Sequence, residues 1–382
     1  MMNILVAPNA FKGALSALEA AACITRGLQR SGLACQIEQM PIADGGDDTM
    51  DVLIAQGGTV HALTVDGPLG RPVAAGWGLL ADGETAIIEM ARASGLKLLE
   101  SAEHNPLLTS TYGTGQLITA AVEAGAKRII VGVGGSATVD GGAGCMQALG
   151  VQLLDAAGQE VARGGGGLAD IAQVDTSKML APLWNGAVKV LVACDVDNPT
   201  LGANGAAAIF GPQKGATPAQ VELLEANLRH FFTVTAEQVG VDVRELVGGG
   251  AAGALSAGLA AFLFADLRSG IDLVLDALHF DERLADIDLV ITGEGRMDAQ
   301  TLSGKGPFGL AVAAQAQGVP TVALVGSIGA GEDALLEAGL AAIVPIAPGP
   351  ITLGDSMADA ENLLEAAALR VGRLLAVGMD LA

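Results

Sequence analysis

Residues 3–16 read NILVAPNAFKGALS, a short apolar run that enters a polar turn and then reaches a helix start. Ser16 and Glu19 have the spacing of a capping box, in which a hydroxyl and a carboxylate satisfy free N–H groups at the start of a helix. A second apolar run, over 35–41, leads into another glycine-containing loop and a second helix. This β-α-β-α order predicts a doubly wound sheet of parallel strands.

The same rhythm returns towards the C-terminus. There the pattern predicts three strands, over 288–292, 319–325 and 341–345, and three helices, over 306–317, 331–338 and 356–376. The middle of the chain differs, because it begins with successive strand candidates that have little helix between them, at 59–65, 73–80 and 85–90. Such a run favours antiparallel or mixed pairing.

We therefore expect an α/β fold with two domains. A doubly wound, Rossmann-like domain is formed by both chain ends, residues 1–62 plus 286–382, and a second α/β domain with a mixed sheet is inserted as residues 63–285. The N-terminal piece alone is too small for a complete doubly wound domain, which supports the insertion. The most apolar run, 253–267, is shorter than the roughly 20 residues that span a bilayer, and it predicts a buried helix.

The chain is strongly acidic, with 42 Asp and Glu residues against 20 Lys and Arg, and a net charge of −22. This charge argues against nucleic acid and anionic membranes as partners. The four cysteines form no CxxC pair, which favours reduced thiols over a zinc site. The N-terminus lacks the basic region of a signal peptide, so we expect a cytoplasmic protein.

Neither common nucleotide-binding motif is present. Residues 303–306 read SGKG, without the earlier glycine or the following Ser or Thr of a Walker A loop. No GxGxxG follows the first strand, so the dinucleotide fingerprint is also missing. A phosphate site in this chain must therefore combine a few lysines, backbone N–H groups of glycine loops and a metal ion.

Glycine-rich loops follow several of the predicted strands, at the edge where open α/β sheets bind ligands. The first loop carries Lys12, for which a solvated lysine is an equally good reading. The second carries Asp44, directly before two glycines and a helix start that suit an anion. The third, 133–142, has four glycines, more than a tight turn needs, and suits phosphate or carboxylate oxygens. Its candidate ligands are Gly134, Gly135, Ser136 and Thr138.

Two further loops bring carboxylates and cations. Asp195 and Asp197 follow the strand over 188–194 and point the same way if the segment is extended, although an Asx turn before a proline is the alternative. Lys214 lies downstream. The other loop follows the strand over 288–292. Its carboxylates suit a metal ion, and its cations suit the anionic oxygens of a substrate or phosphate. Its candidates are Gly293, Glu294, Arg296, Asp298 and Lys305. Residues 248–253 read as either a phosphate cradle or a hinge.

These motifs, taken in order, resemble those of the type I bacterial glycerate kinase family. The matching stretches are 8–16, 43–46, 112–115, 134–138, 140–142, 193–199, 211–216 and 293–296, so that the resemblance runs from about residue 3 to about 375. The chain departs from the family pattern at Asp47-Asp48 and at Val139, and position 139 is therefore left out of the predicted site.

The resemblance implies a two-domain kinase that uses ATP and Mg²⁺ to phosphorylate D-glycerate, usually to 2-phosphoglycerate. We expect the substrate in the interdomain cleft, with Asp195 orienting and deprotonating the acceptor hydroxyl. The predicted catalytic residues are Asp195, Lys12 and Lys305. The predicted substrate ligands are Asp44, Ser136, Arg296 and Gly293. The predicted ATP and phosphate ligands are Gly134, Gly135, Thr138 and Lys214, and the predicted metal ligands are Asp197, Glu294 and Asp298.

Three alternatives stay open at this point: a kinase for a related small hydroxy acid, a kinase that makes 3-phosphoglycerate, and a two-lobed binding protein without chemistry. The expected partners are small molecules, and the sequence also leaves a homodimer open.

Overall fold

The computed structural model describes residues 1–46, 48–298, 301 and 306–381. The chain divides into two compact units. Unit 1 comprises Met1–Asp44, Asp51–Leu53 and Ile271–Ala382, and unit 2 comprises Gly45–Met50 and Ile54–Gly270. Both are built of strands and helices, so the predicted α/β class is confirmed. The expected domain boundaries and the interdomain cleft stay predictions.

The helices and strands alternate along most of the chain. The strands are β1 (Met2–Val6), β2 (Cys35–Gln39), β3 (Thr59–Asp66), β4 (Pro72–Leu79), β5 (Thr85–Glu89), β6 (Arg128–Gly132), β7 (Gln152–Leu154), β8 (Gln173–Asp175), β9 (Lys189–Ala193), β10 (Asp266–Arg268), β11 (Leu289–Met297), β12 (Thr321–Ile328) and β13 (Ala342–Pro345). The helices are α1 (Ala17–Arg30), α2 (Thr49–Ile54), α3 (Ala91–Ser94), α4 (Tyr112–Glu123), α5 (Ala143–Ala148), α6 (Ala181–Trp184), α7 (Ala206–Phe210), α8 (Pro218–Val239), α9 (Ala251–Leu263), α10 (Gly270–Ala277), α11 (Phe280–Arg283), α12 (Gly306–Ala316), α13 (Glu332–Glu337), α14 (Leu353–Ala358) and α15 (Ala360–Leu381).

Unit 1 is built on a five-stranded sheet in the order β13-β12-β11-β1-β2, in which every neighbouring pair is parallel. The capping box at the start of α1 is present: Ser16 Oγ accepts from the N–H of Glu19, and the Glu19 carboxylate accepts from the N–H of Ser16 at 2.8 Å. Strand β11 continues well past the predicted end at 292, because its second half keeps pairing with β12 as far as Met297 and Ile328.

The first and last helices of the chain pack against each other in unit 1. At Gly27 on α1, a Cβ atom would lie 2.3 Å from the carbonyl oxygen of Glu365 on α15, so only glycine allows this approach of the two backbones. The expected single helix over 356–376 is instead two helices, α14 and α15, separated by Asp359.

Unit 2 is built on a six-stranded sheet in the order β10-β9-β6-β5-β4-β3. The first four strands are parallel, and β4 and β3 add antiparallel pairs, which is the mixed pairing expected from the sequence. Because β5, β6, β9 and β10 run the same way, their carboxyl ends lie at one edge of the sheet. The loops after these strands therefore share that edge.

Helix α9 contains an unusual turn. Ala252, Gly253 and Ala254 all have left-handed backbone angles, with φ of 53°, 66° and 67°. A Cβ atom at Gly253 would lie 1.9 Å from the carbonyl oxygen of Thr138, so this turn is pressed against the glycine loop after β6. The predicted buried helix over 253–267 ends at Leu263, and 266–268 forms β10 instead. Within the described residues, no helix is both long and apolar enough to cross a bilayer.

Candidate active site

In unit 1, backbone hydrogen bonds hold three loops side by side at the carboxyl ends of the strands. The N–H of Asn9, after β1, donates to the carbonyl of Gly293 on β11 at 2.9 Å, and the N–H of Ile42, after β2, donates to the carbonyl of Pro8 at 2.9 Å. At Gly293, a Cβ atom would lie 2.3 Å from the carbonyl oxygen of Leu324, which explains the glycine by packing between β11 and β12. This arrangement brings together the loops that carry Lys12, Asp44 and Glu294.

Among the acids of this group, Glu294 has the pKa that is shifted furthest from its ordinary value. Its pKa is raised to about 7, mainly by burial and then by the carboxylate of Asp44, whereas the ammonium of Lys12 and a hydrogen bond from Thr301 oppose the shift. Asp298 adds a smaller effect in the same direction as Asp44. Within the described part of the chain, the buried Oε1 of Glu294 has no hydrogen-bond partner. The buried carboxyl of Glu294 therefore has one oxygen without a hydrogen bond, close to two other carboxylates and to the ammonium of Lys12.

A magnesium ion fits this setting if water and substrate phosphates supply the rest of its ligands. Its preferred ligands are carboxylate oxygens, and it is usually held by one or two carboxylates together with water and substrate phosphates. The unpartnered oxygen of Glu294 and the nearby carboxylates of Asp44 and Asp298 suit such an ion. Among residues 1–46, 48–298, 301 and 306–381, no group of three or more His, Cys, Asp and Glu side chains is arranged to hold a metal.

The predicted cations of unit 1 have different surroundings. The exposed side chain of Arg296 donates from Nε to the Asp298 carboxylate at 2.9 Å, so that these two predicted ligands form an ion pair. Lys12 acts electrostatically on Glu294. Lys305, predicted to be catalytic, lies outside the described residues.

Glu294→Gln is expected to remove a pH dependence of stability. A folded-state pKa raised to about 7 means that the folded protein holds this proton more tightly than the unfolded chain, so the free energy of unfolding falls as the pH rises from about 4.5 to about 7. The variant should lose this fall, which amounts to at most about 3 kcal/mol. Urea unfolding at pH 5 and pH 8, without nucleotide or magnesium, measures it. An equal pH dependence in both proteins would contradict the raised pKa.

In unit 2, the loop after β6 presents its first glycines to solvent and buries the residues after them. Gly134 and Gly135 are exposed, Ser136 is 7% exposed, and Thr138 is fully buried. The carbonyl of Gly135 accepts from the N–H of Leu96 at 2.8 Å, which fixes the loop against the segment after β5. Gly134 and Gly135 thus remain available to a ligand, whereas the side chain of Thr138 does not reach the surface.

Asp140, at the end of this loop, is a buried carboxylate that accepts hydrogen bonds from backbone N–H groups and a threonine hydroxyl. It accepts from the N–H and hydroxyl of Thr111 at 2.8 and 2.9 Å, from the N–H of Gly142 at 3.1 Å and from the N–H of Gly144 at 3.4 Å. Burial raises the pKa of Asp140, and these hydrogen bonds oppose the shift. The carboxylate therefore joins the starts of α4 and α5, where negative charge is favourable.

Lys214 reaches the same loop from inside the protein. Its side chain is 2% exposed, and Nζ donates to Ser136 Oγ at 2.6 Å and to the carbonyl of Thr138 at 2.7 Å. Burial lowers the pKa of Lys214 to about 7, while the charge of Asp140 opposes this. The structure thus brings Lys214, Ser136 and Thr138 together. The lysine is buried, whereas Gly134 and Gly135 of the same loop are exposed.

The loop after β9 carries the predicted catalytic acid. Asp195 is half-buried, and its Oδ1 accepts from the N–H of Gly270 at 2.8 Å, whereas Asp197 is exposed. Gly45 lies against the same strand end, because a Cβ atom there would be 2.8 Å from the Cβ of Ala193. The carboxyl edge of the unit 2 sheet therefore gathers the glycine loop after β6, Gly45 and Asp195.

Glu89 is an acid at this edge that the sequence did not reveal. It is the last residue of the buried strand β5 and is 7% exposed. One carboxylate oxygen accepts from the N–H of Met50 at 2.9 Å and the other from Nε of Arg92 at 2.5 Å. The sequence signal that could have indicated this acid is a single glutamate at the end of an otherwise uncharged, buried strand.

Comparison with known proteins identifies the family. The model of the glycerate kinase family matches residues 4–376. Glycerate kinase of Bacillus subtilis strain 168 is 47% identical over 100% of this chain and 98% of its own. Glycerate 2-kinase of Escherichia coli strain K12 is 43% identical over 99% of each chain.

A solved structure agrees. A crystal structure of a Salmonella typhimurium LT2 protein, described as glycerate kinase 2, superposes with a TM-score of 0.90 and 44% identity over 99% of both chains. The family match and these relatives span nearly the whole chain, and they confirm the predicted family and the predicted kinase class. This chain belongs to the glycerate kinase family.

Proposed function

We propose that this protein is a cytoplasmic enzyme that transfers the γ-phosphate of ATP to D-glycerate and releases 2-phosphoglycerate. The observation that carries the proposal is the buried Glu294 carboxyl, with an unpartnered oxygen, beside Asp44 and Lys12. Carboxylates that need a cation, next to a lysine, suit a phosphate-bound magnesium ion. The E. coli relative, a glycerate 2-kinase at 43% identity, supports the choice of product.

The proposed roles in unit 1 concern charge. A bound magnesium ion would neutralise negative charge on the phosphates, and Glu294 and Asp298 would hold it. Asp197 remains a candidate metal ligand from the sequence. Lys12 neutralises charge on the transferred phosphoryl group, as we also propose for Lys305. Asp44, Gly293 and Arg296 are proposed to bind the substrate, the arginine through its carboxylate.

The proposed roles in unit 2 concern the acceptor and the phosphates. The hydrogen bond from Gly270 holds the Asp195 carboxylate in one orientation, in which it accepts the proton of the acceptor hydroxyl. The exposed backbone of Gly134 and Gly135 binds anionic oxygens through N–H groups. Ser136 adds a hydroxyl next to them. Thr138 contributes through its place in this loop, since its side chain is buried.

An assay of the purified protein tests the proposal. ADP formation is followed with ATP, Mg²⁺ and D-glycerate, and NMR of the product distinguishes the 2-phosphate from the 3-phosphate. We expect turnover that needs all three components, with the 2-phosphate as product. Faster turnover on tartronate or a longer sugar acid would favour a kinase for a related hydroxy acid. Absence of turnover on every acid, with retained binding, would favour a binding protein.

A further inference from the structure

The buried ammonium of Lys214 determines how the Ser136 hydroxyl is used. An ammonium has three N–H donors and no acceptor. Because Nζ lies 2.6 Å from Ser136 Oγ, the serine oxygen must accept in this contact. The proton of the hydroxyl must then point to another acceptor. Within the described residues, no protein atom takes this proton.

The Ser136 proton must point away from the Lys214 ammonium, because that ammonium donates to the same oxygen. Gly134 and Gly135 directly precede Ser136 and are exposed, while Thr138 and Lys214, on the other side, are buried. Lys214 also donates to the carbonyl of Thr138 at 2.7 Å, so the lysine is held by the loop at two points. The Ser136 hydroxyl therefore lies between a buried cation and the exposed glycines.

We propose that Lys214 is a positioning residue: its ammonium makes Ser136 a hydrogen-bond donor to an anionic oxygen of the ligand bound at Gly134 and Gly135. The inference rests on the proposed function, because it takes Ser136 as a ligand contact. Carboxylates and phosphates share this chemistry, so the anionic oxygen belongs to either the hydroxy acid or ATP. Lys214 itself touches neither.

Loss of the lysine proton reverses the arrangement. A neutral amine carries a lone pair, so it accepts the proton of Ser136, and the serine oxygen then turns a lone pair towards the anion. The pKa of Lys214 is lowered to about 7, which puts this change near neutral pH. Asp140 is the charged group that favours the ammonium, Cys145 interacts with Asp140, and His104 packs against Gly215. Ligand affinity is therefore expected to fall as the pH rises through about 7.

The test compares the wild type with Ser136→Ala from pH 6 to pH 9. KM is measured separately for D-glycerate and for ATP, and the ratio of the variant's KM to that of the wild type is plotted against pH. Titration of the ligand and of other enzyme groups cancels in this ratio. We expect a ratio of about tenfold at pH 6 that approaches one at pH 9, for one of the two substrates. A ratio that does not change with pH would overturn the proposal.

A matched control and a second variant sharpen the test. Ser177→Ala, an exposed serine of unit 2, should give a ratio of one at every pH. Lys214→Met should raise KM for the same substrate by no more than Ser136→Ala does, and the double variant should be no weaker than Ser136→Ala alone. Additive losses would show that Lys214 acts independently of Ser136. If Lys214→Met does not fold, the pH-dependent ratio of Ser136→Ala decides alone.

Binding measurements distinguish a failure of this proposal from a failure of the proposed reaction. Calorimetric dissociation constants for ATP and for D-glycerate, in the wild type and Ser136→Ala, give the same ratio without turnover. Absence of glycerate phosphorylation would contradict the proposed reaction, while the pH dependence of the binding ratio would still decide the role of Lys214.

Discussion

Asp195→Asn is expected to lower kcat by about 10³-fold, within the range for loss of a positioned general base. Asparagine has the same shape, and its side-chain oxygen can still accept from the N–H of Gly270, which lies 2.8 Å from the aspartate oxygen. The loop after β9 should therefore keep its structure. What disappears is the negative charge that takes the proton of the acceptor hydroxyl. Steady-state kinetics with saturating ATP and glycerate measure the loss, and calorimetry should show that ATP still binds.

The matched control for this change is Asp175→Asn on β8. Asp175 also accepts a backbone N–H, from Ser177 at 2.8 Å, but it belongs to the two-stranded sheet of β7 and β8. Its variant should keep wild-type turnover. If Asp195→Asn were nearly as active as the control, Asp195 could not be the group that accepts the proton.

Asp140→Ala is expected to reduce the free energy of unfolding by about 3–5 kcal/mol, the range for breaking a buried charged network. The change leaves the N–H groups of Thr111, Gly142 and Gly144 without their acceptor inside the protein. It also removes the charge that supports the ammonium of Lys214. Denaturant unfolding at pH 7 measures the loss, which should come with a lower midpoint and an unchanged slope.

Asp155→Ala is the control for burial. Asp155 likewise accepts two backbone N–H groups, from Ala157 and Gln159 at 2.8 Å each, but in a solvent-exposed turn where water replaces the lost bonds. Its variant should be much closer to wild type in stability. Equal losses in the two variants would mean that the burial of Asp140 adds nothing to its role.

Much of the fold was predictable because local patterns agree with the tertiary structure. The capping box at Ser16 marks the start of α1 to the residue, and the runs over 59–65, 73–80 and 85–90 match β3, β4 and β5 of the mixed sheet to within one residue at each end. The second half of β11 was not predicted, because a glycine-rich stretch has weak strand propensity. Only its pairing with β12, a long-range contact, makes 293–297 a strand.

The candidate site was predictable by location and less so by the environment of each side chain. Loops after strands pointed to Gly134, Asp44 and Asp195 as candidates, since the topology of parallel sheets determines where loops gather. The burial of Lys214 could not be inferred, because it depends on residues 136–140, distant in sequence. Glu89 was missed for a related reason, since a single glutamate at a strand end carries no motif.

Strand β1 lies between β11 and β2 in the sheet of unit 1, and this order has a consequence for synthesis of the chain. The first strand leaves the ribosome early, but its partner β11 begins only at Leu289. Unit 2, completed at Gly270, can fold while β1, α1 and β2 still await their partners. Chaperone binding and aggregation during translation are therefore expected to concentrate on the first 44 residues, whose apolar strand stays uncovered until the last third of the chain appears.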